Sequence, residues 1–426
     1  MVRVRPSLIE GTVVAPPSKS YSHRVLAVSL LAERPSHLRN VSTARDVMAT
    51  VNAIKSMGAE LLVNERKGEG VVNLEVDPPP LPLTPPDILD CGGSGTTIRF
   101  FASIATLTER GYTVLTGNES LRRRPMGPLI EAINQLGSWA VSSRMNGLPP
   151  LIVRGGGLRG GRATIPGNVS SQFFSSLMIS GTLSERGVKL KPTGELVSKP
   201  YILMTSSILE RAGSVVEVGE EIVVEPVRPN KLDITVPGDS GLAAPLMAMA
   251  SITGGRLVIE GLDPSLPQAD SLIIEVLRAF GVTVAIKGDK VIVEGKPTVP
   301  AELDLRDAPD LLPIAAVLAA YAKGKTVIRG VAHARVKESD RITNTREELS
   351  KVGVEVKELE DGLVIEGTVR KGAVLESHKD HRMFMALTAL AAGAPEPCEV
   401  WGEEWAADSY PNFLRDAERL GLVIEG

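Results

Sequence analysis

The chain has 426 residues and a formal net charge of −4 at pH 7, which argues against nucleic acid as its main partner. This length exceeds one ordinary hydrophobic core, so we expect two domains. Cys91 and Cys398 are too few and too far apart for a disulfide framework or a zinc cluster, and no apolar run is long enough to span a bilayer. Residues 1–10 do not resemble a signal peptide, so we expect a cytoplasmic protein.

The first predicted helix begins within residues 16–24, which read Pro-Pro-Ser-Lys-Ser-Tyr-Ser-His-Arg. Ser18 or Ser20 is a candidate N-cap, so Lys19, Ser20 and Arg24 stand near the positive end of the helix dipole. Cations at that end destabilise a helix unless an anion binds among them. The pattern therefore favours an anion site over a solvated basic helix start.

A glycine-rich turn precedes the first predicted helix of the second repeat, with Gly95 and Thr96 at its start and Arg99 one turn later. Glycines let backbone N–H groups approach a ligand closely, although a purely structural turn explains the same residues equally well. Arg124 stands directly before Pro125 at the next helix start, where its guanidinium could bind a carboxylate or phosphate. The alternative for this stretch is a solvated edge of three arginines.

Neutral hydrogen-bonding residues mark two later helix starts. Ser170, Ser171 and Gln172 open one helix, and Ser198 and Tyr201 flank the start of the next. Taken singly, each stretch is explained more simply as a helix cap than as a ligand site.

The most specific stretch is residues 335–341, Arg-Val-Lys-Glu-Ser-Asp-Arg, which we predict to open a helix. Lys337 and Arg341 are four residues apart and would share one helix face, with Glu338 beside them. Two anion-binding cations beside a carboxylate suit proton transfer on an anionic substrate. Two further helix starts in this half of the chain carry charged residues, namely Asp310 and Asp380-His381-Arg382. The five scattered histidines offer no pair at metal-ligand spacing, so no metal is expected.

Six segments end a predicted helix with an apolar residue and a glycine and then continue into an alternating strand. Each glycine is expected at the helix C′ position with a positive φ. These glycines are Gly58, Gly137, Gly213, Gly281, Gly353 and Gly421. Their separation of roughly 70–80 residues predicts six copies of a strand, helix, strand, helix and hairpin unit.

The sixth unit has too little chain after Gly421 to complete its hairpin, whereas residues 2–14 carry surplus strand. The simplest closure pairs the N-terminus with the last units. We therefore predict an α/β protein with two similar domains joined by two adjacent crossings. Residues 14–236 would hold units one to three, and residues 1–13 with 237–426 would hold units four to six.

Together these motifs resemble the enolpyruvyl transferase family, in its branch that acts on shikimate 3-phosphate, over essentially the whole chain. The markers are Pro17-Ser18-Lys19-Ser20, Gly95-Thr96 with Arg99, Arg124-Pro125, Ser170-Ser171-Gln172, Ser198-Lys199-Pro200-Tyr201, residues 335–341 and Asp380-His381-Arg382. The resemblance implies an inside-out α/β barrel, with three βαβαββ units in each domain and a cleft between the domains. It also implies transfer of the enolpyruvyl group of phosphoenolpyruvate to the 5-hydroxyl of shikimate 3-phosphate, without a cofactor.

The resemblance also assigns residues to each substrate by position. Shikimate 3-phosphate would be bound by Lys19, Ser20, Arg24, Ser170, Ser171, Ser198, Tyr201, Asp310, His333 and Lys337. Phosphoenolpyruvate would be bound by Lys19, Gly95, Thr96, Arg124, Gln172, Arg341 and Arg382, with Arg99 and His381 in support. The catalytic residues would be Lys19, Asp310 as acceptor of the hydroxyl proton, and Glu338 as the group that serves the methylene carbon.

Asp408 departs from the family pattern, because many relatives carry a lysine there on the phosphate side. A carboxylate near the substrate phosphate would repel it. We therefore expect Asp408 to point away and to cap a helix that begins near Pro411.

Two rival functions remain for comparison. The sister transferase that acts on a UDP-sugar typically has a reactive cysteine before the Arg-Pro element, where this chain has Leu121, Arg122 and Arg123. A non-catalytic binding protein would have little use for both Asp310 and Glu338. We expect a monomer whose partners are the two small-molecule substrates.

Overall fold

The computed structural model of the chain describes residues 1–66, 70–263 and 265–425. The chain divides into two compact units. The continuous unit runs from Pro17 to Val236, and the discontinuous unit combines Met1–Pro16 with Pro237–Gly426.

Helices come in pairs, each with a buried first helix and a more exposed second helix. In the described residues the α-helices are α1 Lys19–Leu31, α2 Arg45–Ser56, α3 Gly95–Ile104, α4 Gly127–Gln135, α5 Ser171–Gly181, α6 Lys199–Arg211, α7 Ser240–Thr253, α8 Ile273–Ala279, α9 Leu312–Ala319, α10 Arg341–Lys351, α11 His381–Gly393 and α12 Phe413–Arg419. Short 3-10 helices cover Ala105–Leu107, Leu121–Arg123, Ala269–Leu272, Pro309–Leu311, Ala332–Val336 and Glu403–Asp408. The first helices are apolar almost all round, which explains why they form the core of each unit.

In the part of the chain that the structure describes, the strands are short and belong to six sheets. In chain order they are β1 Val2–Arg5, β2 Gly11–Val14, β3 Ser36–Ser42, β4 Glu60–Arg66, β5 Val71–Asp77, β6 Ile88–Asp90, β7 Tyr112–Thr116, β8 Trp139–Ser142, β9 Leu151–Arg154, β10 Gly161–Pro166, β11 Val188–Thr193, β12 Val216–Val218, β13 Ile222–Val224, β14 Asp233–Thr235, β15 Arg256–Glu260, β16 Thr283–Lys287, β17 Lys290–Glu294, β18 Glu302–Asp304, β19 Thr326–Arg329, β20 Glu355–Leu359, β21 Gly362–Glu366, β22 Val374–Glu376, β23 Cys398–Trp401 and β24 Val423–Glu425.

All six sheets have the same arrangement of four strands. The first strand runs parallel to the second, and the remaining neighbours are antiparallel. The strand orders in the continuous unit are β14-β3-β5-β4, β6-β7-β9-β8 and β10-β11-β13-β12. Those in the discontinuous unit are β2-β15-β17-β16, β18-β19-β21-β20 and β22-β23-β1-β24. The prediction of a repeated mixed α/β structure is confirmed at this level.

Strand exchange accompanies the two passages of the chain between the units. β2 precedes α1 in sequence but pairs in parallel with β15, with Val14 opposite Glu260. β14 precedes α7 but pairs in parallel with β3. The prediction that Val14 belongs with the first three repeats is therefore wrong. Val14 is part of β2, which pairs with β15 of the discontinuous unit.

The N-terminal strand completes the sixth sheet, as the short C-terminal segment predicts. β1 lies between β23 and β24 and pairs antiparallel with both. It takes the place that a strand of the closing hairpin occupies in the other repeats.

Side-chain caps define where most of the first helices begin. Each cap residue accepts a hydrogen bond from a backbone N–H in the following turn, and these residues are Ser18, Ser94, Ser170, Asp239 and Asp380. Helix α9 begins instead directly after the 3-10 helix Pro309–Leu311. The polar residues that follow each cap are thereby held in fixed positions.

The predicted helix-terminating glycines all have a positive φ, which confirms the left-handed conformation. The values are 102° at Gly58, 78° at Gly137, 87° at Gly213, 83° at Gly281, 88° at Gly353 and 109° at Gly421. A Cβ at such a position is strained, so glycine ends the second helix of each repeat.

Candidate active site

Lys19 and Ser20 are the first two residues of α1, directly after the capping Ser18. The Nζ of Lys19 lies 2.9 Å from Oδ2 of Asp46, which is in the first turn of α2. Only 15% and 10% of these two side chains are exposed, so the ion pair is largely buried. Sequence reasoning missed Asp46, because an acidic residue in a first helical turn is an ordinary stabilising feature.

Arg24 is buried in the continuous unit, and no carboxylate contacts its guanidinium among the residues that the structure describes. The group donates to two hydroxyls and two carbonyl oxygens, those of Thr205 (2.8 Å), Ser175 (3.2 Å), Ser20 (3.0 Å) and Tyr201 (3.3 Å). Burial is the main cause that lowers the pKa of Arg24 to about 10. A buried cation balanced only by neutral oxygens is suited to receive an anion.

Gln172 joins the starts of α3 and α5. Its Oε1 accepts from Nη1 of Arg99 at 2.6 Å, and its Nε2 donates to Oγ1 of Thr96 at 2.9 Å. Ser170 caps α5 by accepting from the Gln172 N–H at 3.3 Å, and Ser171 is buried beside it. The amide side chain of Gln172 thus links two other predicted site residues, Thr96 and Arg99.

Gly95, the first residue of α3, leaves room for two guanidinium groups. A Cβ at this position would lie 2.7 Å from Nη1 of Arg124 and 3.5 Å from Nη1 of Arg99. Arg124 is itself buried, and its Nη2 donates to Oγ of Ser120 at 3.4 Å. Two guanidinium groups at a helix N-terminus without a side chain form a surface suited to a carboxylate or phosphate.

Ser198 does not cap α6, which corrects the interpretation from sequence. It adopts a left-handed conformation with a φ of 57°, and its side chain makes no cap hydrogen bond. Tyr201, three residues later, places its ring 5.7 Å from Cζ of Arg24. A positive φ at a non-glycine residue is costly and occurs preferentially at functional sites.

In the discontinuous unit, three cations converge on Asp310. Nη1 of Arg341 lies 2.6 Å and Nζ of Lys337 lies 3.3 Å from its Oδ1, and Nη2 of Arg382 lies 3.8 Å from its Oδ2. Asp310 is in the 3-10 helix before α9, Arg341 begins α10, and Arg382 is the second residue of α11. The starts of three helices therefore bring these residues together.

Arg341 is shared by three carboxylates. Besides Asp310, its Nη2 donates to Oε2 of Glu338 at 2.8 Å and its Nε donates to Oδ2 of Asp380 at 2.8 Å. Only 1% of Arg341 and none of Asp380 is exposed. Arg341 or Asp380 would be costly to bury alone, so each depends on the other for its charge balance.

The cations control the protonation state of Asp310. Burial alone would raise the pKa of Asp310, but Lys337, Arg341 and Arg382 together hold it well below its usual value. Burial is the main cause that lowers the pKa of His333 to about 4, with Lys337 acting in the same direction. At neutral pH the site therefore contains an ionised Asp310 and a neutral His333.

The prediction that Lys337 and Arg341 share a helix face is wrong. The 3-10 helix Ala332–Val336 ends before Lys337, and α10 begins only at Arg341, capped by Asp340. Lys337, in the loop, and Arg341, at the helix start, nevertheless lie close together, because both contact Asp310. Arg335 instead pairs with Asp340 and Glu358, at 3.1 and 2.8 Å.

Asp270 is a further buried carboxylate that sequence reasoning did not single out. It lies in the 3-10 helix Ala269–Leu272, where its Oδ2 accepts from Nη2 of Arg382 at 3.1 Å. Burial is the main cause that raises the pKa of Asp270 to about 7. The only sequence signal was an acidic residue in a helical turn, which is common. His381, the first residue of α11, is also buried.

Asp408 does not cap a helix at Pro411. It is the last residue of the 3-10 helix Glu403–Asp408, and α12 begins at Phe413 with Asn412 at the N-cap position. The Asn412 side chain makes no cap hydrogen bond. The expected capping role is therefore wrong, because the helix starts two residues later than the sequence predicted.

In the described part of the chain, no group of three His, Cys, Asp or Glu side chains is arranged to hold a metal ion. Across the same residues, no helix has the length and apolar character needed to cross a membrane.

Comparison with known proteins gives one consistent result. Residues 4–416 match the sequence profile of the family described as EPSP synthase (3-phosphoshikimate 1-carboxyvinyltransferase). A 3-phosphoshikimate 1-carboxyvinyltransferase of Korarchaeum cryptofilum is 61% identical over 425 residues, which cover 100% of this chain and 99% of the relative. A 3-phosphoshikimate 1-carboxyvinyltransferase of Methanothermobacter thermautotrophicus is 42% identical over 415 residues, which cover 97% of this chain and 96% of the relative.

Solved structures agree with this result. A structure of EPSP synthase from Acinetobacter baumannii superposes with a TM-score of 0.80 at 27% identity, and covers 100% of this chain and 99% of its own.

Proposed function

We propose a division of roles among the clustered residues from one premise: the chain belongs to the EPSP synthase family. It is an enzyme, a transferase of the shikimate pathway. It transfers the enolpyruvyl group of phosphoenolpyruvate to the 5-hydroxyl of shikimate 3-phosphate and releases inorganic phosphate.

The proposed roles rest on one observation: two carboxylates contact the same cation. Asp310 and Glu338 both contact the buried Arg341, at 2.6 and 2.8 Å. Two proton-transfer groups thus lie within reach of a guanidinium that can bind an anionic substrate. Asp380 already balances the buried Arg341, and two further carboxylates would weaken a site that only bound anions, because they repel the ligand.

Asp310 accepts the proton of the attacking 5-hydroxyl, because the surrounding cations keep it ionised. The hydroxyl oxygen then bonds to C2 of phosphoenolpyruvate while Glu338 delivers a proton to the C3 methylene. The product is a tetrahedral intermediate. Glu338 then takes back a proton from the methyl group as the C2–O bond to phosphate breaks, and the cations stabilise the departing phosphate.

The remaining residues bind and orient the substrates. Shikimate 3-phosphate is bound by Lys19, Ser20, Arg24, Ser170, Ser171, Ser198, Tyr201, Asp310, His333 and Lys337. Phosphoenolpyruvate is bound by Lys19, Gly95, Thr96, Arg124, Gln172, Arg341 and Arg382, with Arg99 and His381 supporting these contacts. The buried Arg24, which has no carboxylate contact in the described residues, supports its assignment to an anionic substrate.

Phosphate release on mixing the two substrates tests this proposal. We expect release that requires both phosphoenolpyruvate and shikimate 3-phosphate, and none when a UDP-sugar replaces the latter. Asp310→Asn, with unchanged circular dichroism, serves as the inactive control. If phosphate were released from phosphoenolpyruvate with the UDP-sugar but not with shikimate 3-phosphate, the result would favour the sister transferase. If no phosphate were released with either acceptor, the result would favour a binding protein.

Other expectations stay predictions. They are the inside-out barrel with a cleft, the absence of a cofactor, the monomeric state and the cytoplasmic location.

A further inference from the structure

Asp270 occupies a fixed position beside the start of α7. Its neighbour Gln268 accepts from the Ser240 N–H at 3.2 Å and donates to the Gly238 carbonyl oxygen at 2.9 Å. On the other side, Oγ of Ser271 lies 3.2 Å from Oγ of Ser240. Side chains on both sides of Asp270 therefore hydrogen-bond to the start of α7, which restricts where Asp270 can lie relative to that helix start.

Two acceptors hold the guanidinium of Arg382. Nη2 donates to Oδ2 of Asp270 at 3.1 Å, and Nη1 donates to the carbonyl oxygen of Gly241 at 2.7 Å. A Cβ at position 241 would lie 1.9 Å from Oδ2 of Asp270 and 2.7 Å from Nη1 of Arg382. A glycine is thus required where the carboxylate and the guanidinium meet.

Arg382 lies between two carboxylates of different surroundings. Its Nη2 is 3.1 Å from Asp270 and 3.8 Å from Asp310. Only 6% of the Asp270 side chain is exposed, and its Oδ1 has no hydrogen-bond partner among the described residues. Asp270 is therefore the buried neighbour of Arg382, whereas Asp310 is the neighbour in the catalytic cluster.

We propose that Asp270 is a positioning residue for this reaction, which fixes the Arg382 guanidinium and sets by its own charge how strongly Arg382 attracts phosphoenolpyruvate. This inference rests on the proposed assignment of Arg382 to that substrate. In this proposal Asp270 makes no substrate contact of its own and acts through Arg382, the cation with which it shares a hydrogen bond.

The charges that face Asp270 fix the sign of the effect. Arg382 and Lys337 favour its ionised form, whereas burial and the carboxylates of Asp310 and Asp239 oppose it. Burial has the largest effect, and the pKa of Asp270 lies at about 7. Below pH 7 the protonated Asp270 no longer offsets the charge of Arg382, which keeps the more distant carboxylate of Asp310, at 3.8 Å, and above pH 7 the Asp270 carboxylate offsets it as well. The KM for phosphoenolpyruvate should therefore rise as the pH increases through 7.

Asp270→Asn is the decisive variant, because asparagine keeps an acceptor oxygen for Arg382 but cannot ionise. We expect its KM for phosphoenolpyruvate to match the wild type at pH 6 and to be about tenfold lower at pH 8. Ionisation of the substrate phosphate affects both proteins equally and cancels in this ratio. The KM for shikimate 3-phosphate should be the same in both, which a general structural defect would not produce.

Asp270→Ala separates positioning from charge, because it removes the acceptor as well. At pH 6 it should raise the KM for phosphoenolpyruvate about tenfold, whereas Asp270→Asn should not. Glu348→Gln is the matched control, since Glu348 is another buried carboxylate of this unit and pairs with Lys351 and His378. It should leave the pH dependence of KM unchanged.

Separate results would overturn the inference and its premise. If Arg382→Met leaves the KM for phosphoenolpyruvate unchanged, the assignment of Arg382 is wrong. If Arg382→Met raises that KM but Asp270→Asn follows the wild-type pH profile, the role of Asp270 is wrong. The wild type gives a test that needs no variant. Between pH 7 and 8 the phosphate of phosphoenolpyruvate is already largely a dianion, so its own ionisation changes little. A KM for phosphoenolpyruvate that does not rise over this range overturns the inference.

Discussion

Nη1 of Arg341 donates to Oδ1 of Asp310 at 2.6 Å, so the proposed proton acceptor is held by a cation proposed for phosphoenolpyruvate. The same guanidinium also binds Glu338 and Asp380. Removing one carboxylate therefore leaves Arg341 with two others, and the buried charge remains paired. We therefore expect that either of the two proposed catalytic carboxylates can be changed without loss of the fold.

Asp310→Asn and Glu338→Gln should each lower turnover by about two to four orders of magnitude, the usual effect of a lost proton-transfer group. The thermal midpoint should change little. Asp304→Asn is the control, since Asp304 is an exposed carboxylate that pairs with Arg306. Turnover within a few-fold of the wild type in either site variant would remove that residue from the mechanism.

Arg24→Met and Arg341→Met should differ in their effects on stability. Arg24 has no carboxylate contact in the described residues, so replacing its buried charge with an apolar side chain should leave the unfolding midpoint unchanged or raise it. Arg341→Met removes the cation that Asp310, Glu338 and the fully buried Asp380 share, and should cost about 3–5 kcal/mol. Urea unfolding of both variants measures this difference.

Arg24→Met should still impair function, with a KM for shikimate 3-phosphate raised by about 100-fold or more, because a charged contact to the substrate is lost. An Arg24 variant as unstable as the Arg341 variant would contradict the view that Arg24 is kept for ligand binding.

His333 should make the protein sensitive to acid. Its pKa lies at about 4 in the folded protein against an ordinary value of 6.5, so in that window the unfolded chain binds the proton and the folded chain does not. Stability is therefore lost as the pH falls from 6.5 toward 4. Thermal midpoints of His333→Asn should fall less steeply over this window than those of the wild type.

The exposed His37 supplies the comparison for that experiment, because its side chain is 47% exposed. His37→Asn should keep the wild-type slope. His333→Asn should also keep the KM for shikimate 3-phosphate within about threefold, since a neutral ring contributes only hydrogen bonding. Equal slopes in all three proteins would exclude His333 as a source of acid sensitivity.

Asp408→Ala should leave the KM for phosphoenolpyruvate within about threefold, because we expect no direct contact between Asp408 and the substrate. The stability loss that a cap would have caused is no longer expected, since Asn412 precedes α12. Asp408→Lys should lower this KM by adding a cation. Glu404→Lys, in the same 3-10 helix, makes the same change in net charge and should have a smaller effect. A large increase in KM for Asp408→Ala would show that Asp408 takes a direct part.

Local signals in the sequence were sufficient for the repeated architecture. Gly58 and the five equivalent glycines end helices in a conformation that other residues adopt only at a cost, and Ser18 and Asp239 cap helices by a short-range hydrogen bond. Both kinds of signal act within a few residues. They could therefore be interpreted without knowledge of the tertiary structure.

Long-range pairing was predictable only in part. The pairing of β1 with the last repeat was predicted correctly from the incomplete sixth hairpin. Counting the strands of each repeat was enough to show that the sixth lacks one. The parallel pairing of β14 with β3, nearly 200 residues apart, left no trace in periodicity. The strand and helix pattern around β14 is the same whichever sheet accepts it.

The cations of the site were easier to find than their partners. Lys19 and Arg341 were conspicuous because basic residues are unusual at helix starts. Asp46 and Asp270 were not, because carboxylates are common there. The error over residues 335–341 has a related cause: Asp340, a good N-cap residue, marked the true start of α10 and should have moved Lys337 and Glu338 into the preceding loop.

The order in which the chain is synthesised treats the two units differently. All residues of the continuous unit leave the ribosome in one uninterrupted stretch, whereas β1 leaves first and its partners β23 and β24 nearly last. At usual rates of translation β1 waits on the order of tens of seconds for them. Its alternating sequence, Val2-Arg3-Val4-Arg5, carries a charge at every second position. Charged side chains on an unpaired strand discourage pairing with other chains, so we expect Arg3 and Arg5 to protect the nascent protein until its last sheet can form.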